Sequence, residues 1–165
     1  FHGALIGVII STYFFTKSKK IETLVFLDIV ACVAPIGLFF GRIANFINSE
    51  LYGKPTEVFW SVVFPNVDIL PRHPSQIYEA ILEGVLLFAI LITLIFNKKT
   101  RTGICSSLFL ILYGIFRIIA EQFREPDAHI GYLLNYFTLG SLLSFAMIFF
   151  GIILLYRIIN VNKKV

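Results

Sequence analysis

The sequence is poor in charged residues and in cysteine, and both shortages restrict what the protein can be. Only 15% of its 165 residues are charged, while 58% are hydrophobic, which is outside the usual composition of soluble domains. The two cysteines, Cys32 and Cys105, each lie in an apolar run without a neighbouring base. We therefore expect small core residues rather than a disulfide framework.

Motifs for several chemistries are missing as well. The three histidines, His2, His73 and His129, have neither HxxH nor HExxH spacing, so no metal site is predicted. There is no phosphate-binding Walker loop and no serine nucleophile elbow. The net charge of +4 is not gathered into an aromatic-interleaved basic patch, so nucleic acid is not an expected partner.

Five apolar runs predict an all-α, polytopic transmembrane protein with a single domain over residues 1–165. They cover approximately residues 5–16, 23–40, 77–96, 104–123 and 137–156. The last three reach the roughly 20 residues that a helix needs to cross about 30 Å of hydrocarbon. Pro35 is expected to kink the second span. Residues 42–74 are predicted to form an external, semi-apolar loop that serves as a lid, built as a hairpin or an interfacial helix. Small-residue helix contacts of the GxxxG kind are not prominent in the pattern.

Basic residues at alternate ends of these runs orient the chain in the membrane. Positive charge collects on the cytoplasmic side of membrane proteins. Three clusters define that side: Lys17, Lys19 and Lys20; Lys98, Lys99 and Arg101; Arg157, Lys163 and Lys164. The pattern predicts a cytoplasmic C-terminus and places the conspicuous polar motifs near the outer leaflet.

One polar segment directly follows the second apolar run. Residues 41–53 read GRIANFINSELYG. Polar groups at the edge of hydrocarbon need an internal partner or a ligand. A guanidinium suits phosphate or carboxylate, and amides suit hydroxyl or ester oxygens. Gly41 and Gly53 would allow tight turns near a ligand. The segment has the residue types of a site for a polar lipid headgroup, although Arg42 could also be an interfacial arginine that reaches water.

A charged triad lies at the end of the fourth apolar run. The spacing of Arg117, Glu121 and Arg124 places all three on one helix face. A charge inside hydrocarbon is costly. The triad is either a self-neutralising pair that joins helices, or an arginine held by Glu121 and directed at a lipid phosphate. Its surplus positive charge favours the second interpretation.

Two of the histidines have more than one possible role. His2 could accept a proton near neutral pH, or it is an ordinary interfacial histidine. His73, before Tyr78, could do the same, or its segment could be a turn in which Ser75 caps a helix. His129 is expected to be solvated.

Four blocks of sequence resemble the bacterial prolipoprotein diacylglyceryl transferases. They are residues 41–53, residues 1–7 (FHGALIG), residues 72–79 (RHPSQIYE) and residues 117–127. The resemblance implies a multi-pass enzyme of the bacterial inner membrane without a cofactor. Such an enzyme moves the diacylglyceryl group of phosphatidylglycerol to the cysteine thiol of a prolipoprotein signal peptide and releases glycerol phosphate.

Residue roles follow from that resemblance together with the chemistry of the side chains. His2, Arg42 and Arg117 are the predicted catalytic residues: the arginines bind phosphate and His2 takes the thiol proton. Glu50 and Glu121 are expected to orient the arginines. The predicted substrate-binding residues are Arg42, Asn45, Glu50, Gly53, His73, Tyr78, Glu121 and Arg124. The family usually has seven spans and this chain begins with Phe1, so we expect further sequence upstream that carries functional residues.

Two other classes of protein are alternatives to an enzyme. A transporter or flippase could use external arginines to bind lipid, but such proteins usually show paired broken helices and midplane sites. Here the polar residues gather at one face. A structural membrane subunit would leave the polar segment unexplained.

Overall fold

The computed structural model describes residues 2–126 and 138–161, with side chains from residue 7 to 126 and from 138 to 160. Five long helices fill most of this part of the chain: α1 (His2–Lys19), α2 (Thr23–Ile47), α3 (Ser75–Ile95), α4 (Ile104–Glu121) and α5 (Leu139–Val161). Four of them, α2 to α5, are long and apolar enough to cross a membrane. The predicted all-α polytopic architecture is confirmed, although α1 is not among those four.

A buried carboxylate ties the start of α4 to α2. Asp28 accepts hydrogen bonds from the Gly103 amide (2.6 Å), the Ser106 amide (2.8 Å) and the Ser106 hydroxyl (2.6 Å). A carboxylate at a helix N-terminus satisfies amides that have no partner within the helix, and it interacts favourably with the helix dipole. The charge inside the second apolar run is therefore structural. Cys32 and Cys105 lie nearby, free and buried, which confirms their expected place in the core.

Several helix ends meet at the same end of the bundle. The Thr16 and Thr23 hydroxyls are 3.1 Å apart, joining α1 to α2. A side chain added at Gly103 would meet Leu24 of α2 and Ile158 of α5. The first two basic clusters and Arg157 adjoin these ends in sequence, so the bundle gathers them on one face.

Helices α4 and α5 pack through small residues that do not form a GxxxG pattern. A Cβ at Gly114 would lie 2.9 Å from the Ser144 carbonyl oxygen, and one at Gly151 would lie 3.0 Å from the Ser107 carbonyl oxygen. On each helix the two small residues are a heptad apart, so they fall on one face. These positions are shared between two helices at heptad spacing, so the contact is not of the GxxxG kind.

Helices α2 and α3 meet where α2 contains a proline and α3 contains a π-helical stretch. Pro35 lies inside α2, and the middle of α3 (Ala80–Leu86) is a π-helix, whose wider turn is frequent at functional sites. A Cβ at Gly84 in that wide turn would be 2.7 Å from the Phe39 Cβ. The glycine therefore allows α3 to approach α2 closely beside the buried side chains described below.

Helix α2 extends beyond the boundary expected from sequence. Its last residue is Ile47, so Arg42 and Asn45 lie on its final turns and the external loop begins later than residue 42. The polar residues ended the apolar pattern, which set the predicted boundary. They include no helix breaker, so the helix itself continues through them. Gly41 is consequently helical rather than part of a turn, and nothing lies within 4 Å of a Cβ placed there.

The loop between α2 and α3 contains a hairpin, one of the two forms expected for it. Strands β1 (Val62–Val63) and β2 (Pro71–Arg72) pair in antiparallel fashion. Arg72 holds the loop together: it bonds the Asp68 carboxylate (2.6 Å) and the Gly53 carbonyl (3.0 Å), and it lies over the Tyr52 ring. The hydrogen bond from Arg72 is the main cause that lowers the pKa of Asp68 below its usual value.

Candidate functional site

Two glutamates of α3 form the centre of the site. The side chains of Glu79 and Glu83 are fully buried. Glu79 ends the first α-helical part of α3, and Glu83 lies in the π-helical part. Buried carboxylates need cationic partners, because an unpaired charge in an apolar interior is very costly. Both find them on neighbouring helices.

Arg42 approaches from α2 and bridges both carboxylates. Its Nε lies 2.7 Å from Glu79 Oε2, and one Nη lies 3.1 Å from Glu83 Oε2. The planar guanidinium fork suits such a double contact, which a lysine could not reproduce. The other terminal nitrogen, Nη1, has no partner among the described residues, and 14% of the side chain is exposed.

Arg117 approaches the same carboxylates from α4. Its Nη1 lies 2.8 Å from Glu79 Oε1 and 3.7 Å from Glu83 Oε1, and its Nη2 lies 2.7 Å from Glu121. Arg124 lies 3.8 Å from Glu79. Each α3 carboxylate thus turns one oxygen to Arg42 and the other to Arg117. Arginines from two helices are held side by side by the third.

Among the described residues, the formal charges of this cluster balance. Three arginines (Arg42, Arg117, Arg124) face three glutamates (Glu79, Glu83, Glu121). The surplus positive charge of the α4 triad is therefore offset by α3 and does not by itself favour a ligand. Several buried atoms of the cluster, including Arg42 Nε and both Glu79 oxygens, make no hydrogen bond of good geometry with the described residues, but these three atoms are engaged in ion pairs of 2.7 and 2.8 Å.

The polar segment is fastened to the start of α3. The Gln76 side-chain amide donates to the Glu50 carbonyl (2.7 Å), and the Ser75 hydroxyl donates to the Leu51 carbonyl (3.1 Å). Ser49 and Leu51 have positive φ angles of 59° and 54°, which turn the chain sharply after α2 at some energetic cost. Ser75 thus fastens this turn and makes no side-chain cap on its own helix.

Glu50 and Asn45 occupy different positions from the arginine pair. The Glu50 residue is exposed, and its side chain makes no contact with an arginine among the described residues. Orientation of Arg42 falls to Glu79 and Glu83, whereas Glu121 does contact Arg117 as expected. Asn45 is half-buried on the last turn of α2, and its backbone carbonyl accepts a hydrogen bond from the Glu50 amide.

Gly53 is a point of close backbone approach. Its amide donates to the His73 carbonyl (3.1 Å), and it pairs with Arg124 as an isolated bridge. A Cβ there would collide with the His73 carbonyl oxygen and lie 2.8 Å from the Phe123 carbonyl oxygen. Glycine is required here by the packing of three chain segments. Its backbone conformation is not the reason, since its φ is not in the left-handed region.

His73 and Tyr78 belong to a short hydrogen-bonded chain. The Trp60 indole donates to the Tyr78 hydroxyl (2.6 Å), which lies 3.2 Å from His73 Nδ1. Indole only donates, so the Tyr78 oxygen accepts and its own proton is available to Nδ1. The three side chains therefore form one connected polar group in which Tyr78 is central.

Two histidine predictions fall outside what the structure describes. The backbone of His2 begins α1, but its side chain lies outside the described residues, and so does the whole of His129. Their predicted roles therefore stay predictions.

Sequence reasoning missed Glu79 and Glu83 as site residues, although a signal for both was present. Glu83 is the sole charged residue of the apolar run after Glu79. A lone carboxylate in a span indicates a buried partner or a function, and its spacing from Glu79 places both near one helix face.

The sequence is also similar to known proteins. The sequence matches the family model described as prolipoprotein diacylglyceryl transferase over residues 1–157. A protein of Rickettsia typhi named phosphatidylglycerol--prolipoprotein diacylglyceryl transferase is 51% identical over 99% of this chain and 63% of its own length. A protein of Rickettsia akari with the same name is 52% identical over 92% of this chain and 59% of its own length. The chain thus spans about three fifths of the length of these curated relatives. On this match, the chain belongs to the prolipoprotein diacylglyceryl transferase family.

Proposed function

We propose that this chain transfers the diacylglyceryl group of phosphatidylglycerol to the lipobox cysteine of prolipoprotein signal peptides, with the arginine pair as its phosphate site. The observation that carries the proposal is the geometry of Arg42 and Arg117. Two carboxylates of one helix hold these arginines side by side at the ends of two apolar helices. The names of the relatives supply the substrate and acceptor class.

The reaction has a charge balance that an arginine pair suits. The cysteine thiolate attacks the glyceryl carbon that bears the phosphate. A carbon–sulfur bond forms, the carbon–oxygen bond breaks, and glycerol phosphate leaves with both bonding electrons. The phosphate passes from one negative charge to two. Cationic donors placed beforehand around it are therefore worth more in the transition state than in the bound substrate, which is the condition for catalysis.

The two arginines would meet the phosphate with their remaining donors. Arg42 keeps Nη1 without a partner among the described residues, while Nε and Nη2 are engaged by Glu79 and Glu83. Arg117 engages both terminal nitrogens with carboxylates, which leaves Nε. In this proposal the carboxylates are positioning residues, because they restrict the guanidinium planes and reduce the ordering cost of binding.

The remaining roles are assigned by elimination and by position. His2 is the proposed base for the thiol proton, because Nδ1 of the alternative base, His73, already lies against the Tyr78 hydroxyl. Asn45, one turn from Arg42 on α2, would bind glycerol or ester oxygens. Glu50 remains a proposed substrate-binding residue because it lies in the same polar segment as Gly53.

The same proposal includes the membrane setting. We place the protein in the bacterial inner membrane with the C-terminus in the cytoplasm and the arginine pair toward the outer leaflet. Two observations support this orientation. The basic clusters adjoin the helix ends gathered around Gly103, and positive charge favours the cytoplasmic side.

The decisive experiment weighs the acceptor peptide by mass spectrometry. The intact protein, including the functional residues expected upstream of this chain, is reconstituted with phosphatidylglycerol and given a signal peptide that contains the lipobox cysteine, with a Cys→Ser peptide as the control. A diacylglyceryl mass increment on the cysteine peptide alone supports the proposal. No increment, with folded protein and lipid present, would contradict it and would direct attention to lipid translocation.

A second experiment tests the phosphate site itself. Arg42→Lys keeps a cation beside the buried carboxylates but cannot bridge both, so we expect insertion and folding with turnover reduced by at least about 100-fold, the order seen when one preorganised donor is removed. Arg101→Ala, an exposed arginine at the other end of the bundle, is the matched control and should retain turnover. Equal turnover in Arg42→Lys and in the control would eliminate the phosphate role.

The positioning role of the carboxylates has its own test. Glu83→Gln keeps the shape of the side chain and removes the charge that faces Arg42 and Arg117. Restriction of the arginines should matter most in the transition state, so we expect kcat to fall more than KM rises. Glu57→Gln, at an exposed position, should change neither. A loss that appears only as lower protein stability would assign Glu83 a structural role.

A further inference from the structure

A close backbone contact between α2 and α3 lies next to the ion pairs that Arg42 makes. A Cβ added at Gly84 of α3 would be 2.7 Å from the Phe39 Cβ and 3.0 Å from the Phe39 Cα on α2. Gly84 directly follows Glu83, and Arg42 is three residues after Phe39, which is about one helical turn. The contact and the ion pairs of Arg42 therefore lie on the facing sides of the same two helices.

The π-helical stretch of α3 brings this glycine to the face that carries a carboxylate. In an α-helix, residues five apart point about 140° away from each other. In a π-helix the hydrogen bond joins residues five apart, so Glu79 and Gly84 are nearly stacked. The stretch spans Ala80–Leu86, and the Leu87 amide donates to the Leu82 carbonyl in this pattern. One face of α3 thus presents both a carboxylate and a point of close approach.

The ion pairs of Arg42 depend on the distance between these two helices. Its Nε lies 2.7 Å from Glu79 Oε2, and its Nη2 lies 3.1 Å from Glu83 Oε2. An ordinary contact begins at 3.4 Å, so a Cβ at Gly84 would require the helices to separate by about 0.7 Å. The longer of the two contacts, to Glu83, would then exceed the upper limit of about 3.2 Å for such hydrogen bonds.

Arg117 does not depend on this spacing. Its shortest contacts are to Glu79 Oε1 (2.8 Å) and to Glu121 (2.7 Å), and neither involves α2. A wider separation of α2 from α3 would therefore move Arg42 while Arg117 stays in place. The relative position of the two guanidiniums thus depends on the contact at Gly84.

We propose that Gly84 is a positioning residue, which sets the helix spacing at which Arg42 bridges both α3 carboxylates. This inference rests on the proposed function, because the arginine pair is its phosphate site. Glycine has no side chain with which to contact a substrate, so Gly84 acts through Arg42. Preorganised geometry matters most in the transition state, so loss of the spacing should lower kcat more than it raises KM.

Gly84→Ala in the intact protein tests the spacing. Misplacement of a reacting group by about 1 Å can cost about 100-fold in rate, so for this smaller shift we expect kcat to fall by about 10–100-fold. Gly37→Ala is the matched control. It makes the same change in α2, where nothing lies within 4 Å of the added Cβ, and it should keep the kcat of the wild type. Equal kcat in the two variants would overturn the proposal.

A second substitution distinguishes spacing from general damage to the helices. Combined with Gly84→Ala, Phe39→Gly removes the Cβ that would be 2.7 Å away, whereas Phe39→Ala keeps it. Both changes delete the ring, and glycine is the poorer residue for a helix. We expect the double variant with Phe39→Gly to have the higher kcat. An equal or higher kcat with Phe39→Ala would show that helix stability is the cause, and the proposal would be wrong.

Thermal melting in detergent tests the same contact without the reaction. Arg42→Lys cannot bridge two carboxylates, so it should lower the melting temperature of the wild type. In Gly84→Ala the bridge is already broken, and Arg42→Lys should then lower the melting temperature by clearly less. Equal shifts in both backgrounds would mean that the two residues are independent and would refute the proposal. If the intact protein transfers no diacylglyceryl group, the proposed function fails, and this comparison still decides whether Gly84 positions Arg42.

Discussion

Replacement of Gly53 by alanine tests how the polar segment is held against the site. The added Cβ would lie 2.8 Å from the Phe123 carbonyl oxygen and would collide with the His73 carbonyl oxygen, where an ordinary contact begins near 3.4 Å. Both obstacles are backbone atoms, so the strands must separate. Forcing an extra methyl into a packed site typically costs about 1–3 kcal/mol. The strain falls on the pairing that joins the polar segment to β2 and to the end of α4.

Hydrogen exchange measures this effect at the affected amides. The Lys54 amide donates to the Phe123 carbonyl (2.9 Å), and the His73 amide donates to the Lys54 carbonyl (3.0 Å). Where exchange follows the opening equilibrium, a cost of about 1–3 kcal/mol corresponds to about 5–150-fold faster exchange at both. Diacylglyceryl transfer should fall as well, because Gly53 pairs with Arg124.

Gly41→Ala is the matched control, because the same chemical change is made at the other end of the segment. Gly41 is helical and nothing lies within 4 Å of its added Cβ. The substitution should leave the exchange unchanged, with up to about 1 kcal/mol gained from helix propensity. Unchanged exchange in Gly53→Ala, or equal acceleration in both variants, would refute the packing argument.

Three further substitutions test the framework around the site. Asp28→Ala removes three hydrogen bonds from the start of α4, so thermal melting in detergent should show a loss of about 0.5–2 kcal/mol, and unchanged melting would contradict the capping role. The hydrogen bond from Arg72 lowers the pKa of Asp68, so its contribution to the hairpin is present above the unfolded pKa of about 3.9 and is lost as the pH falls through the lower folded pKa. After correction for the intrinsic pH dependence of exchange, protection of the hairpin amides should therefore fall below about pH 4 in the wild type and not in Asp68→Asn, and an identical pH profile of protection would contradict it. Gly114→Leu should separate α4 from α5 at Ser144 and cost about 1–3 kcal/mol in the same melting assay, whereas melting as in the wild type would show that the contact yields.

Much of the fold followed from pattern alone, because a membrane imposes simple rules on length and polarity. The five apolar runs became five helices, and four of them are long and apolar enough to span. The end of α2 did not follow from pattern: a polar stretch without a helix breaker continued the helix to Ile47. The contacts of Gly114 and Gly151 with α5 and α4 were also missed, since each depends on a partner helix.

The residues of the site were likewise predicted only in part from the sequence. Arg42, Arg117 and Glu121 were identified from the cost of charge near hydrocarbon, and the structure places all three in one cluster. Glu50 was expected to orient Arg42 because it is close in sequence. The chain turns sharply at Ser49 and Leu51. The carboxylates that lie against Arg42 are therefore those of Glu79 and Glu83.

The sequence by itself determined the membrane class, the number of long helices and the residue types of the site. These depend on local quantities, namely hydropathy, charge and spacing along one helix. Only the tertiary structure decided which carboxylates meet which arginines and that, among the described residues, the cluster is formally neutral. Those properties depend on how three helices and a hairpin pack, and pairing between distant segments cannot be read from the local pattern of any one of them.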